Sequence, residues 1–181
     1  FLKECETGDL LLYSTKSIFG GIIEYFTGSN YSHVSIVLKD PLYIKNNLHG
    51  LYILESAYEP RPDSEDNKIK YGVQITPIQY MIDDYKSGKY GYIYYRKLKC
   101  KRDKYFYNKL TETHKIIHDK KYDINMVDWL KAYFKIETKN EQKTSEFWCS
   151  ALISYIYSKM GFLNPNIKWT IISPKEKNKM N

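Results

Sequence analysis

The chain has 181 residues, of which 43% are apolar or aromatic, and carries a formal net charge of +7. That length and apolar content suit one compact domain over residues 1–181 with a sizeable core. No apolar run approaches the roughly 18 residues of a membrane-spanning helix, and three cysteines (Cys5, Cys100, Cys149) with no CxxC pair argue against a disulfide framework.

The positive charge favours anionic partners, and a weak association with an anionic membrane surface fits it. The densest basic segment, Lys97 to Lys104, lies beside Tyr105, Phe106 and Tyr107. No nucleic-acid-binding signature accompanies it, so no specific nucleic-acid partner is expected. Unpaired thiols suit a reducing, cytoplasmic setting. No secretory signal pattern is visible, but the sequence starts at Phe1 rather than Met, which leaves targeting open. Oligomeric state is not readable from the sequence.

In chain order, Asp9 to Ser14 (DLLLYS) is a short buried strand after a Gly8-Asp9 turn. Ile18, Phe19, Ile22, Ile23 and Phe26 recur at helical spacing and predict a short helix over 16–26. That segment is also the part of the chain that would rest on a membrane. Tyr31 to Leu38 and Leu51 to Tyr58 are strands joined by a hairpin-like connection over Asp40 to Gly50. Pro60 to Lys70 is polar, contains two prolines and predicts an exposed loop. Gly72 to Thr76 is a strand, Pro77 opens a helix through Tyr85, and Tyr92 to Leu98 is a further strand.

Helical patterns follow over Asp103 to His118 and, capped by Asp123, over Ile124 to Phe134. Thr138 to Ser145 is polar loop, and Phe147 to Met160 is the strongest helix, closed by Gly161. The Lys/Asn-rich tail after about Ser173 predicts a flexible end. Strands early and helices late indicate an α+β fold, a small antiparallel sheet with helices packed against it.

Cys149 opens the apolar face of that last helix, with Leu152, Ile153, Ile156 and Met160 following at helical spacing. A thiol there is either a small buried hydrophobe or a nucleophile whose thiolate is favoured by the free N–H groups of a helix N-terminus. His33 lies inside a strand, sharing its face with Ser35 and Val37. A strand holds it rigidly enough for a base, or it is a hydrogen-bonded core residue. Glu55 sits in an otherwise apolar strand, where a carboxylate is costly to bury unpaired. Pairing of the two strands would let it accept the imidazole N–H. Tyr122 is a candidate oxyanion or substrate-positioning hydroxyl. His114 and His118, four apart, have the spacing of a metal pair, but the sequence offers no third ligand and no zincin motif. No metal and no cofactor are expected.

The blocks GDLLLYS (8–14), GGIIEYFTGSNYSHVSIVL (20–38), LESA (54–57), KYD (121–123) and FWCSALISYIY (147–157) together resemble the circularly permuted NlpC/P60 superfamily: the YiiX-like, LRAT-like and poxvirus papain-like group. In permuted members His comes first and Cys last, the order found here. The resemblance spans residues 8 to about 160. It implies a circularly permuted papain-like fold including the nucleophile helix, with Cys149 as nucleophile, His33 as base and Glu55 as the polar third residue. Tyr122 matches the family's Tyr ahead of the Cys helix. LRAT-type members typically carry a second His where Glu55 stands, which favours the YiiX-like and poxvirus-like side.

The implied function is a thiol hydrolase that cleaves an amide or ester bond through a Cys149 thioester, with a peptide or lipid acyl group as substrate. The alternatives are an LRAT-like acyltransferase or phospholipase, and a catalytically silent binding module. A poxvirus-like member would be virion-associated.

Overall fold

The structure, a computed structural model, describes residues 1–15, 30–122, 146–147 and 149–164. The expected helices over 16–26 and 124–134, the loop over 138–145 and the tail lie outside these residues. Strands β1 (Leu10–Thr15), β2 (His33–Lys39), β3 (Leu51–Pro62), β4 (Ile69–Pro77) and β5 (Tyr90–Arg96) are joined by the two-residue strands β6 (Lys121–Tyr122) and β7 (Glu146–Phe147). They form one sheet in the order β5-β1-β2-β3-β4-β6-β7. All neighbours are antiparallel except β6 and β7, which run parallel. Helices α1 (Ile78–Lys86), α2 (Lys104–Ile117) and α3 (Cys149–Lys159) complete the α+β architecture.

The helices lie on two faces of the sheet, and the strand sequences follow from that. Successive strand residues point to opposite faces. Leu10, Leu12, Val34, Ile36, Leu38, Leu54, Val73 and Ile75 pack with Phe106, Leu110 and Ile117 of α2 and with most of α3. The alternate residues Leu11, Tyr13, Val37 and Ile53 pack with Ile78 and Met81 of α1 and with Cys5. The central strands are therefore apolar runs such as Leu10-Leu11-Leu12 rather than alternating ones. Helix α3 is buried along Cys149–Tyr157 and not on one stripe only, which marks it as a central helix.

The Gly8-Asp9 turn anchors the sheet. Gly8 adopts φ +95°, and a side chain there would meet Leu98 and Phe106. Asp9 is fully buried. Its carboxylate accepts hydrogen bonds from Glu6 N (2.9 Å), Tyr95 Oη (2.5 Å), Leu98 N (2.9 Å) and Arg102 Nη2 (2.7 Å). This satisfies a charge that would otherwise be expensive to desolvate. The buried Tyr157 hydroxyl of α3 donates to Gly8 O at 2.6 Å.

Two expected boundaries move. The expected loop over Pro60 to Lys70 shrinks to the 63–68 turn, because β3 continues to Pro62 and β4 starts at Ile69. β2 pairs with β3 only over Leu51 to Leu54, and a bulge between Ala57 and Arg61 resets the pairing with β4. Among the described residues β3 pairs on one side only beyond the bulge, and a proline lacking an N–H is tolerated there. The last helix begins at Cys149, not at Phe147, because Phe147 pairs with Tyr122 as a strand. The start of α2 is capped by Asp103, whose side chain accepts from Phe106 N, while the expected Asp123 cap lies outside the described residues.

Gly72 has φ +140°, and a Cβ there would overlap the Lys120 carbonyl and the Lys121 backbone, against which β4 pairs with β6. Gly72→Ala is expected to destabilise the fold by about 2 kcal/mol or more, since backbone cannot give way as a flexible side chain does. Urea denaturation checks this, and an unchanged midpoint would show that β6 docks differently.

Candidate active site

His33 is the first residue of β2 and stands opposite Tyr13 of β1 in the sheet register. Glu55 of β3 stands opposite Gln74 of β4. Strand alternation puts Tyr13, His33, Glu55 and Gln74 on the face that carries Val37 and Ile53. Four neighbouring strands thus contribute one polar residue each to a single cluster in an otherwise apolar layer.

The centre of the cluster is Glu55 Oε2. It lies 2.7 Å from His33 Nε2 and accepts a 2.8 Å hydrogen bond from Tyr13 Oη. The Gln74 side chain hydrogen-bonds to the same carboxylate. Glu55 is only 7% exposed. Burial alone would raise its pKa, but the hydrogen bond and charge of His33, followed by Tyr13 and Gln74, outweigh it and lower the pKa. The Tyr13 ring packs 4.7 Å from Tyr90 and 5.0 Å from the His33 imidazole, between centroids. Burial, followed by the charge of Glu55, pushes its hydroxyl well above the ordinary range, so Tyr13 stays a neutral donor.

Cys149 is the first residue of α3 and is 6% exposed. It lies close enough to His33 for its charge and hydrogen bonding to act on the imidazole. Since Nε2 faces Glu55, Nδ1 is the ring nitrogen that remains for the sulfur, a tautomer assigned from the network. Burial pulls the His33 pKa down, but the charge and hydrogen bond of Cys149, with those of Glu55, push it up from 6.5 to about 10. The charged form of the imidazole is thus favoured, between a carboxylate and a sulfur. The first N–H groups of α3 have no partner one turn back within the helix and face the same end.

The structure thus brings His33, Glu55 and Cys149 together. The backbone of Tyr122 lies in β6, paired with Phe147 two residues before Cys149; its side chain lies outside the described residues. Sequence reasoning missed Tyr13 and Gln74. Tyr13 continues a buried strand without breaking its pattern. Gln74 did carry a signal, as a lone amide between Val73 and Ile75 in a buried strand.

The other two thiols are shifted upward. Cys5 is pushed up to about 11, chiefly by burial and then by Asp9. Cys100 is also raised, again chiefly by burial.

No protein-family model matches this sequence, and no curated protein matches it. Among solved structures the chain is similar to the crystal structure of metalloprotein yiiX from Escherichia coli O157:H7. The TM-score is 0.56 at 20% identity, over 87% of this chain and 67% of that one. Its name is the one carried by the YiiX-like group that the sequence blocks resemble. At this identity the likeness is one of fold.

Proposed function

We propose that the chain is a cysteine-dependent hydrolase on a circularly permuted papain-like fold, cleaving an amide or ester bond. The observation that carries this reading is the position of His33, bonded to Glu55 through one ring nitrogen and within electrostatic reach of Cys149 at the start of α3. The order of the blocks in the chain and the YiiX-like neighbour support it.

The chemistry follows from the arrangement. The Cys149 sulfur adds to the substrate carbonyl carbon, and the carbonyl π pair moves to oxygen. N–H groups at the N-terminus of α3 are placed to donate to that oxyanion. As the tetrahedral species collapses, the bond to the leaving nitrogen or oxygen breaks and the His33 imidazolium gives it the proton. A thioester remains on Cys149. Neutral His33 then takes a proton from water, which adds to the thioester and releases the acid and the thiol. Glu55 holds the ring orientation through both steps, and Tyr13 and Gln74 hold Glu55.

A peptide or isopeptide bond is the preferred substrate class, since Glu55 occupies the position where lipid-acting relatives typically carry His. The lipid alternative rests on the segment 18–26, which lies outside the described residues.

Alkylation tests the reading without knowledge of the substrate. At neutral pH iodoacetamide is expected to modify Cys149 at least about tenfold faster than Cys5 or Cys100, located by peptide mass spectrometry. His33→Ala is expected to remove the difference. Equal rates at the three cysteines would defeat the proposal.

A further inference from the structure

Helix α2 ends in His114 and His118, which share one face because they are four residues apart. The missing third ligand comes from the turn between β3 and β4. Glu65 Oε2 is 2.8 Å from His114 Nε2 and 3.3 Å from His118 Nε2. Glu65, His114 and His118 each offer a ligand atom, all within 4.8 Å of one another. His114 is 4% exposed, and the other two are half-buried.

His118 Nδ1 lies 3.1 Å from Asp119 Oδ2, which orients the ring. Its Nε2 is aimed at the Glu65 carboxylate, 3.3 Å away, and is buried without a hydrogen-bond partner among the described residues. Three donor atoms converging on one point can share a cation. Lys70 is not that cation. Its ammonium is engaged by Asp63 (3.2 Å), Asp66 (3.1 Å) and Asp119 (2.6 Å). Those contacts also engage Asp66 and Asp119 of the neighbouring Asp66–His118–Asp119 group.

The ligands are held in place. Glu65 N donates to Asp63 Oδ1 at 2.7 Å, and the Lys45 ammonium binds the Glu65 carbonyl. Asp119 orients the His118 ring from its far nitrogen, as carboxylates do behind zinc-bound histidines.

We propose that Glu65, His114 and His118 form a binding site for a divalent transition metal, zinc(II) by its donor set of two imidazoles and a carboxylate. The site shares no residue with the Cys149 cluster. Its consequence is mechanical. His118 lies just before Lys120, whose carbonyl accepts from Val73 N, and before β6. A metal there fastens the end of α2 to the β3–β4 turn and fixes the approach to β6.

The test is zinc(II) titration of metal-stripped, 181-residue Cys149→Ala protein by calorimetry, a background that removes the thiol nearest the other histidine–carboxylate pair. Cobalt(II) gives a spectroscopic readout. One zinc ion per chain is expected, with intense visible cobalt bands and a raised Tm. Glu65→Gln and His118→Ala are each expected to weaken zinc binding by about 100-fold or more, and Asp119→Asn by about tenfold. Glu65→Gln is nearly isosteric, and circular dichroism verifies its fold. Absence of saturable binding up to about 100 μM zinc, or equal binding by folded Glu65→Gln and the parent, overturns the proposal.

Discussion

Cys149→Ala is expected to reduce turnover of an amide or ester substrate to background, a loss of about 10⁴-fold or more, with the fold unchanged. The side chain is small and its burial slight in volume, so exchanging sulfhydryl for hydrogen costs stability little beside its effect on chemistry. His33→Ala is expected to cost about 10²–10⁴-fold, the usual range for a proton-transfer group. Because the two act as one unit, the double variant is expected to be no slower than Cys149→Ala alone. A panel of peptide, isopeptide and lipid ester substrates, followed by intact-mass detection of an acyl adduct on the wild type, gives the measurement. A Cys149→Ala protein that retains the wild-type rate would leave only a binding role for the scaffold.

Glu55→Ala is expected to be the most destabilising change in the cluster. It strands the Tyr13 hydroxyl, the Gln74 amide and the His33 imidazole in a layer shared with Val37 and Ile53. Removing one partner from a buried charged pair typically costs about 3–5 kcal/mol. Glu55→Gln keeps the volume and one acceptor, so it is expected to lose less stability while still slowing the reaction through the imidazole's orientation.

The pair also sets a pH window for stability. The folded-state pKa of His33 is raised from 6.5 to about 10, so its contribution is full below pH 6.5 and is lost as pH rises toward 10. Glu55 is lowered from 4.5, so its contribution is full above pH 4.5 and is lost as pH falls through the lowered value. Urea midpoints of wild type and Glu55→Gln, compared across pH, are expected to differ most between about 4.5 and 6.5 and to converge on either side. A constant difference would mean that the two residues are not linked in the fold.

The strands that build this site were legible because burial on both faces leaves unmistakable apolar runs in Leu10–Tyr13, Val34–Leu38 and Ile53–Leu54. A carboxylate inside such a run must have a partner, which is why Glu55 stood out and why His33 was its natural match. Tyr13 did not stand out, since an amphipathic ring fits a core strand whether or not its hydroxyl serves a carboxylate. The continuation of β3 through Pro60 and Pro62 was hidden because those prolines signal a loop unless one knows that β2 has already ended alongside. The apolar period of α3 runs back across Phe147, so local pattern gave no sign that this residue pairs with Tyr122. Glu65 was invisible for a different reason. It is 49 residues from His114 in sequence, and only the docking of the 63–68 turn on α2 makes them neighbours.

The buried bond from Tyr157 to Gly8 has a consequence for the chain during its synthesis. It joins the last described helix to the turn that precedes the first strand, 149 residues earlier. Every strand from β1 to β5 leaves the ribosome before α3 does, and Val34, Ile36, Leu54 and Ile75 have no α3 to cover them until it emerges. The nascent sheet therefore exposes apolar surface until α3 arrives, and the same late segment that closes the core brings Cys149 toward His33. Prematurely terminated chains should accordingly aggregate.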